Sequence, residues 1–120
     1  MSTPSATIHR WESMPFDAPM DLLERRRVIG SQAMISHVLL KKGCFVPTHA
    51  HDNEQFVCLL SGALRFRLGS EDGPRDEVVI RGGEVLHLPS QVPHEAEALE
   101  DTVVLDVFSP PSETTGIDRS

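Results

Sequence analysis

Short apolar runs separated by turn-forming residues constrain the fold of this chain more than any other feature. Glycine, proline or polar residues close each run, and the runs are Ala33–Leu40, Gln55–Leu60, Ala63–Leu68, Glu77–Arg81, Val85–Leu88 and Thr102–Ser109. Residues 63–68 alternate between apolar and basic side chains, which is the period of a half-buried strand. No segment shows a sustained 3.6-residue apolar period. We therefore predict an all-β chain whose strands form a sandwich or a barrel.

The length of the chain limits it to one domain. Its 120 residues, 39% of them apolar, suffice for a single compact core. We predict a barrel over residues 30–109. Before it, residues 1–29 form an arm with short strands or a helical turn, the helical turn falling at Asp21–Arg27. The polar sequence PPSETTGIDRS after the barrel indicates a loose C-terminal tail over residues 110–120.

Charge and hydropathy exclude some classes of partner. A net charge of −7 argues against binding to nucleic acid. The run Arg25–Arg27 is flanked by acidic residues, which indicates a solvated face or the rim of an interface. No apolar stretch reaches the length that crosses a membrane, and the first residues lack the pattern of a signal peptide. We therefore expect no membrane partner and a cytoplasmic location.

Histidines supply the chemistry that stands out in the sequence. His49 and His51 are two residues apart, so on a strand their side chains share one face, and Gln55 keeps the same parity. His94 can join them from a neighbouring strand if the barrel wraps. Three neutral imidazoles in an apolar barrel favour a divalent transition metal such as Ni, Zn, Mn or Fe. The orientations of His37 and His87 stay open.

Two stretches of the chain resemble the two motifs of the cupin superfamily. Gly43-Cys-Phe-Val-Pro-Thr-His-Ala-His-Asp-Asn-Glu-Gln55, followed after six residues by Gly62, resembles the first motif. Gly83-Glu-Val-Leu-His-Leu-Pro-Ser-Gln-Val-Pro-His94 resembles the second. The resemblance covers residues 30–109. It implies a single-domain cupin-type barrel (a double-stranded β-helix, or jelly roll) that holds a metal through His49, His51, Gln55 and His94.

The chain departs from these motifs at three positions. Gln55 occupies the position of the usual metal-binding glutamate, Gln91 replaces a glycine, and Ala98 replaces the terminal asparagine. A neutral glutamine leaves the metal with its full divalent charge, which strengthens its action as a Lewis acid. It also disfavours high-valent iron, so the ligand set argues mildly against oxygenase chemistry.

The last apolar run contains a candidate catalytic acid. Asp106 interrupts the run, and Phe108 shares its face. A carboxylate inside a barrel costs several kcal/mol unless it is paired, hydrogen-bonded or used in catalysis. Asp106 is therefore a candidate general acid or base. The alternative is an aspartate that faces outward at a dimer seam or a strand edge.

The ending LDVFSPP, together with the pattern His-x-His-x-x-x-Gln, is similar to a group of small cupins of uronate catabolism. Those proteins convert 4,5-unsaturated monouronates into 4-deoxy-5-keto-uronates. The resemblance implies a metal held by three histidines and a glutamine, with Asp106 and Phe108 lining the active site. A basic residue commonly follows SPP in that group, whereas this chain has Ser112. The candidates left to bind a substrate carboxylate are Arg65, Arg67 and Arg81.

Three functions therefore stay open at this point. The first is a metal-dependent isomerase or lyase that acts on a small anionic sugar. The second is an Fe or Mn dioxygenase, and the third is a cupin that binds a small molecule without turnover. We also predict a homodimer, because the arm carries the apolar residues Ile8, Trp11, Met14, Phe16 and Met20. The arm could instead fold back on its own barrel.

Overall fold

The computed structural model describes residues 5–114. Over these residues the chain is all-β, as predicted, apart from a single 3₁₀ turn at Trp11–Ser13. Ten strands follow, which are β1 (Asp17–Met20), β2 (Leu23–Ile29), β3 (Met34–Leu40), β4 (Phe45–His49), β5 (Glu54–Ser61), β6 (Ala63–Leu68), β7 (Asp76–Arg81), β8 (Val85–Leu88), β9 (His94–Ala98) and β10 (Thr102–Ser109). In the described part of the chain, no helix is long and apolar enough to cross a membrane.

The strands form two antiparallel sheets. The larger sheet has six strands in the order β1-β2-β3-β10-β5-β8, and the smaller has four in the order β4-β9-β6-β7. Five of the eight neighbouring pairs join strands that are not consecutive in sequence, and β10 lies between β3 and β5 in the larger sheet. This topology is the jelly-roll barrel that the motifs implied.

Alternation along each strand places the core between the two sheets. In β3 the buried residues are Met34, Ser36, Val38 and Leu40, and the residues between them are less buried. The same period in β5, β6, β9 and β10 directs side chains inward at every second position. The enclosed apolar cluster includes Val38, Val57, Leu59, Leu64, Phe66 and Val104.

Two strands of the larger sheet, β1 and β2, lie in the segment before residue 30. The helical turn expected at Asp21–Arg27 is wrong, because β2 pairs with β3 in register from Leu23 to Ile29. Leu23 faces Leu40 across that ladder and is buried, so the period of the segment is that of a strand. The solvated face expected for Arg25 is also wrong, because Arg25 is only 3% exposed and forms an ion pair with Asp17 at 3.1 Å.

The first part of the arm folds back on its own barrel. The Trp11 ring stacks on the His37 ring with centroids 5.2 Å apart. Arg26 bridges the two residues, because its guanidinium donates to the Trp11 carbonyl at 2.5 Å and to His37 Nδ1 at 3.3 Å. The same guanidinium lies 4.2 Å above the centre of the Phe16 ring. Trp11, Met14 and Met20 are therefore half-buried within one chain, whereas Ile8 and Phe16 stay exposed.

The segment after β10 is held against the barrel as far as the structure describes it. Asn53 donates its side-chain amide to the Pro110 carbonyl, and Arg27 donates to the Glu113 carbonyl at 3.1 Å. At the preceding residue, the Ser109 hydroxyl donates to the Gln32 carbonyl at 2.8 Å. Residues 110–114 are therefore fastened at both ends. The remainder of the predicted tail, residues 115–120, lies outside the described residues.

Candidate metal centre

Three histidines meet at one end of the barrel. His49 closes β4 and His94 opens β9, and the two are directly opposite in the ladder, with ring centroids 4.2 Å apart. His51 lies in the turn after β4 rather than on the strand itself, and its ring is 5.2 Å from that of His94. One ring nitrogen from each histidine lies within 4.8 Å of the others. The structure thus brings together the three histidines, which are able to hold a metal ion.

Backbone carbonyls fix the orientation of all three rings. The Nδ1 atom of His49 lies 2.9 Å from the Pro47 carbonyl, that of His51 lies 3.0 Å from the Asn53 carbonyl, and that of His94 lies 2.9 Å from the Val92 carbonyl. A carbonyl oxygen only accepts hydrogen bonds, so each Nδ1 carries the proton and each neutral Nε2 carries the lone pair. Histidines that bind metals show this arrangement, in which the second nitrogen donates to a carbonyl or a carboxylate.

The contact between His51 and Gln55 fits a cation. The Gln55 side chain extends from β5 toward the histidine cluster, and its Oε1 lies 3.1 Å from His51 Nε2. The amide orientation is set on the other side, where Gln55 Nε2 donates to Asp106 Oδ1 at 3.0 Å. Two acceptors therefore face each other, and two lone pairs at this distance repel unless a positive charge lies beside them. A divalent metal bound by both atoms would supply that charge.

The electrostatics of the buried histidine also suit a ligand. His94 is 3% exposed. Burial is the main cause that lowers the pKa of His94 to about 4, and the neighbouring imidazoles of His49 and His51 add to the shift, while the Val92 carbonyl opposes it. His94 is therefore neutral near pH 7, which is the form that binds a metal.

Asp106 lies on the inner face of β10 next to this cluster. It is 8% exposed, and its hydrogen bond to Gln55 joins it to the proposed ligand set. Burial raises the pKa of Asp106 to about 7, against the lowering effect of the Gln55 amide. Phe108 is buried two residues further on, with its ring centroid 5.8 Å from that of His51. Asp106 thus faces inward and not a strand edge.

The space around the cluster consists of an inner cavity and two clefts at the mouth. The inner cavity has a volume of about 50 Å³ and is polar where His49, Gln55, His94 and Asp106 line it, and apolar elsewhere. One cleft, of about 380 Å³, lies beside His51, and another, of about 420 Å³, lies beside His49. The inner cavity has room for a few water molecules. A ligand larger than a few water molecules would therefore occupy the mouth and reach inward with one end.

The other candidates from the sequence point away from this site. Arg65 and Arg67 lie on the outer face of the smaller sheet, in ion pairs with acidic residues of β7 and β9. Arg81 is exposed and pairs with Ala63, at the opposite end of β6 from Leu68, which pairs with His94. His37 faces outward under Trp11, and His87 is exposed, with Nε2 2.7 Å from a carboxylate oxygen of Glu54. None of the three arginines is positioned to bind a substrate in the cavity.

Two residues near the mouth were not anticipated from the sequence. Asn53 is 5% exposed, and it holds both His51 through its carbonyl and Pro110 through its side chain. Arg27 lies on the inner face of β2 and contacts the segment after β10. Asn53 lies within the first motif, which was a usable clue, whereas the inward direction of Arg27 depends on recognising β2 as a strand.

Fold and site together define a class of protein. The chain is a single jelly-roll barrel with a three-histidine cluster of metal-binding type at its mouth. The family model described as "Cupin domain" matches residues 36–108, which is more than half of the chain. The chain belongs to the cupin family.

Solved structures share the fold at low sequence identity. KdgF from Halomonas sp. superposes with a TM-score of 0.78 at 21% identity, over 91% of this chain and 97% of that one. An RmlC-like cupin from Shewanella frigidimarina gives 0.78 at 23% identity, over 91% and 95%. Oxalate decarboxylase from Bacillus subtilis, a protein with Mn(II) centres, gives 0.81 at 22% identity. That match covers 96% of this chain but 33% of the decarboxylase. None of the curated proteins matches the chain.

Proposed function

We propose that this cupin is a metal-dependent enzyme that moves a proton on a small anionic sugar. The reaction proposed is the conversion of a 4,5-unsaturated monouronate into the 4-deoxy-5-keto-uronate. His49, His51, Gln55 and His94 hold a divalent metal (Ni, Zn, Mn or Fe), and Asp106 acts as the general acid or base. The resemblance of the two motifs and of the LDVFSPP ending to the uronate-converting cupins supports this choice of substrate.

One observation carries the proposal, which is the position of Asp106. The carboxyl group is buried, lies in the wall of the inner cavity, and is joined to the histidine cluster by a single bridging amide. A pKa raised to about 7 by burial allows the group both to take and to give a proton near neutral pH. The imidazoles of the cluster are unsuited to that task, because their lone pairs are directed to the metal.

The proposed conversion requires no oxidant and no second substrate. A proton leaves the anomeric hydroxyl, the bond between the anomeric carbon and the ring oxygen breaks, and an aldehyde forms. The released enolate takes one proton at the fourth carbon and becomes the ketone, so atoms and charge balance. Asp106 accepts the first proton or delivers the second. When bound, the metal acts as a Lewis acid toward substrate oxygens.

The neutral side chain of Gln55 favours this chemistry over dioxygen activation. The proposed ligands contribute no negative charge, so the metal stays strongly electrophilic. Gln55 also orients Asp106, because its amide donates to Oδ1 at 3.0 Å. A glutamate at this position would place a second carboxylate beside the first. The glutamine therefore serves the metal and the proton-transferring group together.

The proposed enzyme works as a homodimer that pairs through the larger sheet. The outer face of this sheet carries exposed apolar side chains on β3, β5 and β8, which are Ile35, Phe56, Leu60 and Val85. The outer face of the smaller sheet instead carries ion pairs such as Arg65–Glu97. An apolar sheet face of this kind favours contact with a second copy over contact with water. Light scattering at micromolar concentration tests the dimer, and a mass of one chain would contradict it.

Turnover is tested with purified protein whose metal content has been measured by elemental analysis. The substrate is an unsaturated monouronate, and loss of its conjugated double bond is followed by ultraviolet absorbance. We expect conversion faster than the background in the metal-loaded protein, and conversion at background rate after removal of the metal with a chelator. An oxygen electrode in the same reaction should show no uptake. Background conversion by fully metal-loaded protein would refute the proposed reaction.

A further inference from the structure

Arg27 lies on the inner face of the larger sheet at the level of Asp106. In the ladders, Arg27 is directly opposite Ser36 in β3, and Ser36 is directly opposite Asp106 in β10. Residues directly opposite in antiparallel strands point to the same face, and Ser36 and Asp106 are both buried. Two strand spacings, about 10 Å, separate the Arg27 backbone from that of Asp106. The half-buried side chain therefore extends over the mouth side of the barrel interior.

In the described part of the chain, the partners of the Arg27 guanidinium differ from those of Arg25 on the same face. The nearest basic residue on the same face, Arg25, pairs with Asp17, and Arg75, just before β7, pairs with Glu95 at 3.3 Å. Within residues 5–114, Arg27 has no carboxylate partner, and its hydrogen bond runs from one terminal nitrogen to the Glu113 carbonyl. A guanidinium group has five N–H donors in a planar fork. Most of the donors of Arg27 thus remain for another acceptor.

The residues on either side of Glu113 form a wall of the cleft beside the metal site. Ser112 and Thr114 line the cleft of about 380 Å³ whose opposite wall is His51 to Asn53. The guanidinium of Arg27 donates to the Glu113 carbonyl at 3.1 Å, between the lining residues Ser112 and Thr114, so it lies at the edge of the cleft. The one acidic residue among the lining residues, Asp52, accepts a hydrogen bond from the Gln91 side chain. The positive charge therefore lies at the side of the cleft that the segment after β10 forms.

We propose that Arg27 binds the carboxylate of a sugar acid held in this cleft, with the reacting end of the sugar directed past His51 to the metal. The inference rests on the proposed function for its anionic substrate. A planar guanidinium matches a carboxylate through two parallel hydrogen bonds, which is stronger and more selective than a single neutral bond. Ser112 and Thr114 add hydroxyl groups at the same wall. Specificity for an acid over the matching neutral sugar then comes from a residue of β2, far in sequence from the two motifs.

The test compares two sugars that do not react, galacturonate and galactose, by titration calorimetry on the metal-loaded protein. They differ in one carboxylate group. We expect galacturonate to bind about 10–100-fold more tightly, which is the range for hydrogen bonds to a charged group. Arg27→Gln should remove this preference. The matched control is Arg81→Gln, which makes the same change of net charge on exposed β7 and should keep the preference. A preference that survives in Arg27→Gln overturns the assignment.

Two further outcomes separate this inference from the proposed reaction. Failure to convert an unsaturated uronate, combined with a preference for galacturonate that depends on Arg27, would refute the reaction and support the binding site. Conversion of the unsaturated uronate, combined with a preference for galacturonate that persists without Arg27, would support the reaction and refute the binding site. Arg27→Lys keeps the positive charge but lacks the planar guanidinium with its parallel donors. We therefore expect the preference of this variant for galacturonate to fall several-fold. This variant replaces Arg27→Gln in the test if Arg27→Gln does not fold. An undiminished preference in Arg27→Lys overturns bidentate binding.

Discussion

The two ends of the barrel interior are built from the same strands and have opposite chemistry. At the mouth, β5 contributes Gln55 and β10 contributes Asp106, whereas toward the far end the same strands contribute Leu59 and Val104. β9 likewise begins with His94 and ends with Ala98. The far end is closed and apolar, so its burial stabilises the barrel. The mouth carries polar groups whose burial has a cost, and that cost is justified when the groups bind a metal and a substrate.

This difference predicts that, along one strand, residues at the mouth contribute to function and residues at the far end contribute to stability. A substitution at the mouth should alter metal content or turnover and have a modest effect on the metal-free fold. A substitution at the far end should lower the free energy of unfolding and leave the metal site intact. On β5, Gln55 at the mouth and Leu59 toward the far end are separated by only three residues.

The largest effect should follow from removing a histidine of the mouth. In His94→Ala the metal loses a buried ligand, so its affinity should fall by on the order of 100-fold or more, beyond the loss usual for residues that merely support ligands. The thermal stability gained by adding metal should disappear in parallel, because that gain comes from binding to the folded state. Elemental analysis and thermal unfolding with and without metal measure both. The same result is expected for His49→Ala and His51→Ala, and full occupancy in His51→Ala would contradict the site.

Asp106→Asn should separate chemistry from metal binding. The substitution preserves shape and removes basicity, so turnover should fall by about 10²–10⁴-fold, the usual share of general acid–base catalysis. Metal content and unfolding temperature should stay close to those of the unaltered protein. Initial rates with the unsaturated uronate are the measurement. Unchanged rates in Asp106→Asn would show that the carboxylate is structural.

Leu59→Ala tests the far end. Leu59 is 2% exposed in the apolar cluster, and its truncation leaves a cavity, so the free energy of unfolding should fall by about 2–5 kcal/mol. Metal content and turnover of the folded protein should be unchanged. Urea unfolding, followed beside elemental analysis, compares the two. Loss of metal from folded Leu59→Ala would mean that the two ends are coupled and that the comparison fails.

Gln55→Glu sharpens the comparison at the mouth with a smaller effect. A carboxylate can still bind the metal, so occupancy should be kept. The change places a negative charge against Asp106 in place of a donor, which raises the pKa of Asp106 further and should lower turnover about 10-fold, the equivalent of one pKa unit. Elemental analysis and initial rates are compared with those of the unaltered protein. Absence of metal in this variant would show that Gln55 is not a ligand.

The sequence predicted most of the mouth because its residues lie in two short motifs. His49, His51 and Gln55 fall within seven residues, and their local spacing limits where they point. His94 joined them through the second motif, and the ladder places it opposite His49. Asp106 was recognisable because a charge inside an apolar run is costly. Each of these clues is local, and the structure places all five side chains around one cavity or its mouth.

The parts that the sequence did not predict depend on pairing between distant segments. The residues of β2 include three consecutive arginines, which obscured a strand that alternates inward at Leu23 and Arg25. Only the ladder with β3 shows that alternate arginines face the interior. The polar sequence after β10 suggested a loose tail, yet contacts to Asn53 and Arg27 fasten residues 110–114. Contacts between segments that are distant in sequence cannot be predicted from local composition.

The central position of β10 has a consequence for how the barrel assembles. This strand pairs on one side with β3 and on the other with β5, although it is the last of the ten strands in residues 5–114. Until residues 102–109 are available, the larger sheet consists of two separate parts with unpaired edges, and the cavity lacks Asp106. Contacts between residues this far apart in sequence make for slow folding. Closure of the barrel and completion of the site therefore require the same strand, and we expect a chain that lacks residues 102–109 to expose the unpaired edges of β3 and β5 and to aggregate.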